Sequence, residues 1–261
     1  MLPGAPAITA SSSQEEIERL AELMRGAGSV VALTGAGISV PSGIPDFRTP
    51  RTGLWENVDP MEVAHIDAFH EDPVRFWSFY GERFASLEGK SPNGAHEALA
   101  RLEEMGILDG VITQNIDMLH RRAGTRELVE VHGTIATCSC LACHGHVELA
   151  EVRERQSAAG DGVPRCEGCG APLKPDVVLF GEMLDAGALN RARELSEQAD
   201  LLLCIGTSLE VHPVAGLPLA SIRAGGRLAI LTQGPTPLDE LAEVRLWGDV
   251  VAELEGLLRA L

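Results

Sequence analysis

The sequence predicts an α/β fold in which a doubly wound parallel sheet carries a second, smaller domain. Short apolar runs recur along the chain, and most do not alternate with polar residues, which is typical of strands buried on both faces of a parallel sheet. Helical patterns separate several of these runs, as in a doubly wound sheet. The apolar runs cover residues 30–33, 110–113, 128–131, 177–180, 201–205 and 228–231.

The first folded element is a helix that begins after Ser13. Ser13 and Glu16 are spaced as a capping box, in which each side chain bonds the backbone N–H of the other residue. Apolar residues then recur on one helical face, whereas residues 1–10 resemble a loose tail. The apolar face comprises Ile17, Leu20, Ala21 and Met24, and further helical patterns cover residues 94–105, 187–198, 213–224 and 249–260.

Two stretches interrupt the alternation of strands and helices. One, residues 49–91, is rich in aromatic side chains, and the other, residues 135–174, contains two pairs of cysteines. We expect the two stretches to form one small domain. The large domain is then assembled from residues 11–48, 92–134 and 175–261.

Composition and charge exclude several classes of protein. The 261 residues are 45% hydrophobic and 23% charged, as in a globular chain rather than a disordered or collagen-like one. The formal net charge of -17 opposes binding to nucleic acid. No apolar run approaches the roughly 18 residues of a membrane span, and the first residues lack the pattern of a secretory signal. We therefore expect a cytoplasmic protein with no nucleic-acid partner and no membrane contact.

Four of the six cysteines form two CxxC pairs with 22 residues between them: Cys140, Cys143, Cys166 and Cys169. Four thiolates at this spacing predict a closed tetrahedral site for one structural zinc ion. A redox CxxC normally stands alone, and iron–sulfur clusters have other typical spacings. Because the set is complete, we interpret His144 and His146 as surface residues. Cys138 and Cys204 remain outside the set.

A glycine-rich loop follows the first predicted strand, from Thr34 to Ser39. Glycines there allow the backbone to approach a phosphate and leave amide N–H groups free to bind it. Alone this is a weak signal, because a GxG after a strand is often only a tight turn. Val40 stands where the dinucleotide fingerprint has its third glycine. An ordinary dehydrogenase would also have an acidic residue at the end of a second strand about 20 residues on, whereas residues 43–48 are typical of a loop. Hydride transfer at this loop is therefore disfavoured.

Polar residues follow two further predicted strands. Gln114, Asn115 and Asp117 come after the second run, where open α/β sheets place their ligand sites. They are also compatible with a simple helix cap. His132 follows the third run and precedes a glycine, which makes it a candidate general base, although most isolated histidines are structural or exposed.

Eight segments occur in a fixed order: GAGIS (35–39), GIPDFR (43–48), TQNID (113–117), VHG (131–133), the two CxxC pairs, KPDVVLFGE (174–182) and CIGTSLEV (204–211). In this order they resemble the sirtuin family of NAD-dependent protein lysine deacylases, of bacterial type. The resemblance runs from about residue 14 to the C-terminus. It implies a Rossmann-like domain, a small domain of zinc ribbon and helices, and a cleft where NAD meets an acylated lysine.

The resemblance also implies which residues bind NAD. Arg48 is expected near the phosphates and Phe47 over the reactive ribose, while Asp117 accepts a hydrogen bond from the nicotinamide carboxamide. The family often has Asn where this chain has residues 232–234, so that contact with the adenosine ribose departs from the pattern. The implied set is Gly35, Ala36, Gly37, Phe47, Arg48, Gln114, Asn115, Ile116, Asp117, Gly206, Thr207, Ser208, Thr232 and Gln233.

For catalysis the resemblance implies His132, as general base, and Asn115. The acyl oxygen attacks C1′ of the ribose and nicotinamide leaves, after which His132 takes a proton from the ribose hydroxyls. The 2′-oxygen then attacks the intermediate, and the products are free lysine and 2′-O-acyl-ADP-ribose. The protein or peptide substrate, an acylated lysine in an added strand, is expected to contact Val177, Phe180, Gly181 and Glu182.

Three other functions remain open from the sequence. An ADP-ribosyltransferase would use the same NAD pocket, and a zinc-ribbon scaffold would use neither His132 nor Asn115. A desuccinylase or demalonylase is indicated by Tyr80 and Arg83, because a Tyr-x-x-Arg pair in a similar position binds the distal carboxylate in some sirtuins. Against this, Asp46 replaces the Thr typical of that branch, and Tyr80 is equally compatible with aromatic packing.

Overall fold

Two β-sheets organise the residues that the computed structural model describes, 12–46 and 59–261. The larger sheet has six strands and the smaller has three. The strands are β1 (Val30–Thr34), β2 (Gly110–Thr113), β3 (Leu128–Glu130), β4 (Gly133–Cys140), β5 (His146–Glu148), β6 (Leu173–Val177), β7 (Leu201–Ile205), β8 (Arg227–Leu231) and β9 (Val244–Leu246).

Helices surround both sheets. The capping box predicted at Ser13 is confirmed, because the Ser13 amide donates to Glu16 Oε2 (2.9 Å) and the Glu16 amide donates to Ser13 Oγ (3.2 Å). The α-helices are α1 (Gln14–Gly26), α2 (Pro60–Val63), α3 (Ile66–Glu71), α4 (Pro73–Glu88), α5 (Gly94–Glu104), α6 (Leu119–Ala123), α7 (Leu149–Ala158), α8 (Ala186–Gln198), α9 (Leu217–Ala224) and α10 (Val250–Ala260).

The larger sheet is parallel, with the strand order β3-β2-β1-β7-β8-β9. Every residue of β1 and β7 is buried. Alternate residues of β7 pack into two separate cores, one shared with α1, α5 and α10 and the other with α8 and α9. The predicted doubly wound sheet is therefore confirmed. Its strand order reverses between β1 and β7, and such a sheet binds ligands outside the carboxyl ends of its strands at that point.

The smaller sheet is antiparallel, with β4 between β5 and β6. Its hydrophobic core also contains the aromatic side chains of α4, among them Phe76 and Phe84. The indole N–H of buried Trp77 donates to the Leu173 carbonyl at 3.0 Å. The aromatic stretch and the cysteine stretch thus share one core, while the exact domain boundaries stay a prediction.

One predicted strand is wrong. Residues 177–180 do not form a strand of the parallel sheet: Val177 ends β6 in the smaller sheet, and Phe180 makes an isolated bridge to His65. Val177 and Leu179 are apolar because they are buried in the small core, not because they pair within the parallel sheet.

Two other features differ from the prediction. Strands β4, β5 and β9 were not predicted, because none of them is a continuous apolar run. The helix predicted over 213–224 is divided into a 3-10 helix, Val214–Gly216, and α9. None of the helices in the described ranges is long and apolar enough to cross a membrane.

Candidate active site

The loops that follow β1 and β7 touch through their glycines. The amides of Gly35 and Gly37 donate to the carbonyls of Ile205 (3.0 Å) and Gly206 (2.8 Å). A Cβ atom on Gly37 would lie 2.7 Å from the Gly206 Cα, so only glycine permits this approach. The amides of Gly35 and Gly37 are therefore not among those that this loop leaves free for a phosphate, because the neighbouring loop accepts their hydrogen bonds. The contact of these two glycines with NAD stays a prediction.

A buried polar cluster lies beside these loops. Asn115 donates its Nδ2 to the Gly35 carbonyl (3.1 Å) and to Ser39 Oγ (3.2 Å). Ser39 in turn donates to Asp117 Oδ2 at 2.6 Å, and Asp117 Oδ1 accepts from the Leu119 amide at 2.9 Å. Each carboxylate oxygen accepts more than one hydrogen bond, so Asp117 retains acceptor capacity for a ligand N–H.

Two buried histidines, His96 and His120, lie next to this cluster. His120 Nε2 lies 2.9 Å from Thr34 Oγ1, which donates to Thr113 Oγ1 at 2.8 Å. The hydroxyl therefore accepts from His120 Nε2–H, and His120 Nδ1 has no hydrogen-bond partner among the described residues. Burial lowers the pKa of His120 to about 3 and that of His96, whose ring lies 4.8 Å away, to about 4. Both rings are neutral near pH 7.

His132 follows β3 and is half-buried. Its Nδ1 lies 3.0 Å from the Gln114 carbonyl. Because a carbonyl oxygen only accepts, Nδ1 carries the proton and Nε2 is the acceptor nitrogen. Burial lowers the pKa of His132, partly opposed by the bond to Gln114. The ring is thus held in the neutral tautomer that a general base requires.

The strand ends that carry these groups are tied together. Gln114 donates its Nε2 to Thr207 Oγ1 at 2.8 Å, which joins the end of β2 to the loop after β7. Phe47 and Arg48 lie outside the described residues. The remaining predicted NAD residues lie at or beside the carboxyl ends of β1, β2, β7 and β8, and none is fully buried: Ala36, Ile116, Ser208, Thr232 and Gln233.

The predicted peptide-binding residues form a turn that leads away from His132. The Val178 amide donates to the His132 carbonyl at 2.9 Å. Phe180 is 46% exposed, whereas Val177 is buried. The Glu182 carboxylate pairs with Lys174 at 2.9 Å instead of extending into solvent.

Tyr80 and Arg83 lie on α4, as predicted. Tyr80 is buried with its ring 4.6 Å from that of Phe76, and burial raises the pKa of its phenol. The Arg83 guanidinium lies 5.5 Å from the centre of the Phe79 ring. Within the described residues Arg83 has no ion-pair partner, and it lines an open cleft of about 670 Å³ together with Arg75.

The four predicted cysteine ligands converge. Their Sγ atoms all lie within 4.8 Å of one another, with separations of 3.4 Å between Cys140 and Cys169 and 3.5 Å between Cys143 and Cys166. Tetrahedral zinc–thiolate bonds of about 2.3 Å require sulfur separations of about 3.8 Å, so the site fits one zinc ion. Cys138 is buried outside this cluster.

Comparison with known proteins gives concordant matches. The Sir2 family profile matches residues 35–213. An NAD-dependent protein deacetylase of Sulfolobus acidocaldarius is 46% identical over 88% of this chain and 89% of its own. NAD-dependent protein deacylase 2 of Archaeoglobus fulgidus is 43% identical over 90% of this chain and 92% of its own. A structure of Sir2 with a p53 peptide and NAD+ superposes with a TM-score of 0.86 at 39% identity, covering 93% of this chain and 97% of that one.

Proposed function

The chain belongs to the Sir2 family, and from this membership and the geometry of the site we infer that it is an NAD-dependent protein lysine deacylase. NAD is the co-substrate, an acylated peptide or protein is the substrate, and zinc is structural. The main structural support for this reaction is the orientation of the His132 ring. Its Nδ1–H donates to the Gln114 carbonyl, so Nε2 is the ring nitrogen that can accept a proton.

Each polar group of the site has a distinct role in this proposal. Asp117 accepts from the carboxamide of nicotinamide, and Asn115, beside it, lines the pocket of the nicotinamide ribose. Ser39 holds both side chains at once. After the acyl oxygen has displaced nicotinamide from C1′, His132 Nε2 takes the ribose hydroxyl proton. The 2′-oxygen then attacks the acyl carbon, the bond from that carbon to the lysine nitrogen breaks and water adds. The products are the free amine of lysine and 2′-O-acyl-ADP-ribose.

Zinc takes no part in these steps, because four thiolates leave no open coordination position. Its role is to hold the smaller sheet. That sheet begins at Gly133, next to His132, and continues through β6 into the peptide-binding turn. The metal thereby holds in place the backbone next to His132 and the backbone of the peptide-binding turn.

Acetyl-lysine is the substrate we propose first, because the Sulfolobus relative is named a deacetylase. The test is mass spectrometry of the products formed from NAD and an acetyl-lysine peptide. We expect equal amounts of nicotinamide, acyl-ADP-ribose and free lysine peptide. ADP-ribose attached to a protein, without loss of acetyl, would identify an ADP-ribosyltransferase instead.

A second candidate activity, removal of acidic acyl groups, is favoured by one observation: Arg83 lines an open cleft without an ion-pair partner among the described residues. A succinyl carboxylate would pair with this guanidinium and accept from the nearby Tyr80 phenol. In Arg83→Met, succinyl turnover is then expected to fall at least about tenfold, the value of one lost charged hydrogen bond, with acetyl turnover unchanged.

Arg75→Met is the matched control for this test. Arg75 lines the same cleft but already pairs with Glu62 at 2.6 Å, so it has no comparable capacity for a substrate carboxylate. Equal kcat/KM changes for acetyl and succinyl peptides in Arg83→Met would reject the acidic acyl site. They would leave the deacetylase assignment intact.

A further inference from the structure

We propose that Lys174 is a positioning residue, whose buried ammonium group holds the turn Leu179–Glu182 in the shape that receives the acyl-lysine peptide. This inference rests on the proposed function, because it assigns a role to a residue behind the same substrate site. Lys174 itself is only 6% exposed, whereas Phe180 in the turn is 46% exposed, so the role we assign to Lys174 is to support the turn and not to contact the peptide.

The turn is shaped by its own backbone. The Glu182 amide donates to the Leu179 carbonyl at 3.0 Å, and Gly181 has φ of 83°, a conformation that favours glycine. A Cβ atom on Gly181 would also lie 2.5 Å from His65 Nε2. On the side of α3, Phe180 exchanges two backbone hydrogen bonds, both 2.9 Å, with residues 64 and 66. The turn is therefore pinned along one edge.

Lys174 holds the turn through a second set of contacts. Its Nζ donates to the carbonyls of Val177 (2.8 Å) and Pro175 (3.1 Å) and pairs with Glu182 Oε2 at 2.9 Å. The same carboxylate oxygen accepts from the Leu179 amide at 2.8 Å. One cation thus joins the end of β6 to both ends of the turn, and all three of its donors are used.

The Glu182 carboxylate acts through this pair rather than on the peptide directly. It is turned toward Lys174 and the Leu179 amide, so its contribution to the substrate site is the shape of the turn. Removing one member of a largely buried ion pair leaves the other charge without compensation. Loss of Lys174 is therefore expected to displace the turn.

The geometry separates substrate binding from chemistry. The Val178 amide bonds the His132 carbonyl, so the turn begins close to the base. The His132 ring, however, is oriented independently by the Gln114 carbonyl at the end of β2. A displaced turn should weaken peptide binding and leave the base and the NAD loops in place.

The choice of lysine is itself informative. The chain contains 19 arginines but only two lysines, Lys90 and Lys174. An ammonium group donates in three diverging directions, whereas a guanidinium donates in one plane. The three acceptors around Lys174 therefore suit lysine, and Lys174→Arg should restore the charge but only part of the geometry.

The experiment compares wild type with Lys174→Met, Lys174→Arg and Glu182→Gln. The dissociation constant of a fluorescent acetyl-lysine peptide is measured by anisotropy, and kcat and both KM values by product release. For Lys174→Met we expect peptide Kd and KM to rise about tenfold, or about 1.4 kcal/mol, with kcat and the KM for NAD within about twofold. Lys174→Arg should lie between Lys174→Met and wild type. Arg193→Met, which removes an exposed ion pair with Glu197 on α8, is the matched control and should change nothing.

Several outcomes would overturn the proposal. Unchanged peptide affinity in Lys174→Met would do so, as would an equal loss of kcat and NAD affinity, which indicates general damage. If Lys174→Met does not fold, Glu182→Gln is the deciding variant, because glutamine keeps an acceptor for the Leu179 amide but not the charge. Unchanged peptide affinity in Glu182→Gln would also overturn the proposal. If wild type itself releases no lysine from acyl-peptide, the proposed function fails. This result differs from an active wild type whose variants bind the peptide as well as wild type does, which would overturn only the role of Lys174.

Discussion

Replacement of His132 by alanine tests the assigned base most directly. Among the residues that the structure describes, the imidazole makes one hydrogen bond, from Nδ1 to the Gln114 carbonyl, and it is half-buried. Its removal should therefore cost only about 1 kcal/mol of folding stability, the value of a single hydrogen bond. The protein is expected to remain folded, so that lost activity reports on chemistry.

The expected loss in turnover is large. A positioned general base contributes roughly 100- to 10,000-fold, and we expect His132→Ala to lose deacylation within that range. Nicotinamide leaves before His132 acts in the proposed sequence of steps. The exchange of labelled nicotinamide into NAD, in the presence of acyl-peptide, should therefore fall much less than lysine release.

The pH dependence of wild type gives the second part of the test. The neutral ring is the active form, so kcat/KM falls as the pH drops through the pKa of His132. Burial lowers that pKa. The acid limb should therefore have its midpoint below the usual histidine value of about 6.5.

The assay is mass spectrometry of peptide and nucleotide products from pH 5 to 9, with unfolding monitored by circular dichroism. His146→Ala is the control, because His146 is exposed on the smaller sheet. Wild-type turnover by folded His132→Ala would refute the assignment of the base. An equal collapse of nicotinamide exchange would refute the proposed order of steps.

Two further predictions concern stability. Cys166→Ser should abolish binding of one zinc per chain and expose the smaller sheet to proteolysis, because structural zinc sites contribute about 10 kcal/mol to folding. Cys138→Ser is the control and should retain one zinc per chain by metal analysis. Loss of zinc in Cys138→Ser would mean that the ligand set must be revised. Between pH 6.5 and 5 the unfolded chain binds a proton at His120 that the folded chain excludes, since burial lowers this pKa to about 3. Protonation of His120 in the unfolded chain should therefore lower the free energy of unfolding by about 2 kcal/mol between pH 6.5 and 5, as measured by urea unfolding. In His120→Gln the free energy of unfolding should fall by about 2 kcal/mol less over this range, whereas His146→Gln should behave as wild type. The same pH dependence of stability in His120→Gln and wild type would contradict the buried neutral ring.

Local patterns in the sequence were sufficient for much of the fold. The capping box at Ser13 and the buried face of α1 depend on residues within one or two helical turns, and the structure confirms both. The zinc ligands are also recognisable, because CxxC spacing is set by the geometry of a single knuckle. The apolar run 177–180 was assigned to the wrong sheet, because an apolar run indicates burial but does not distinguish a strand of the parallel sheet from a segment packed in another core.

The sequence by itself determined the parallel sheet, the four cysteine ligands and the positions of Asn115, Asp117 and His132. Only the tertiary structure decided how these groups are held. Ser39 meets His96 from 57 residues away, and Thr34 meets His120 from 86 residues away. A hydrogen bond between such distant residues leaves no periodicity or spacing in the chain, because it is fixed by the packing of whole strands and helices. The Lys174–Glu182 pair is closer in sequence, and it forms across a turn in which Gly181 has a positive φ.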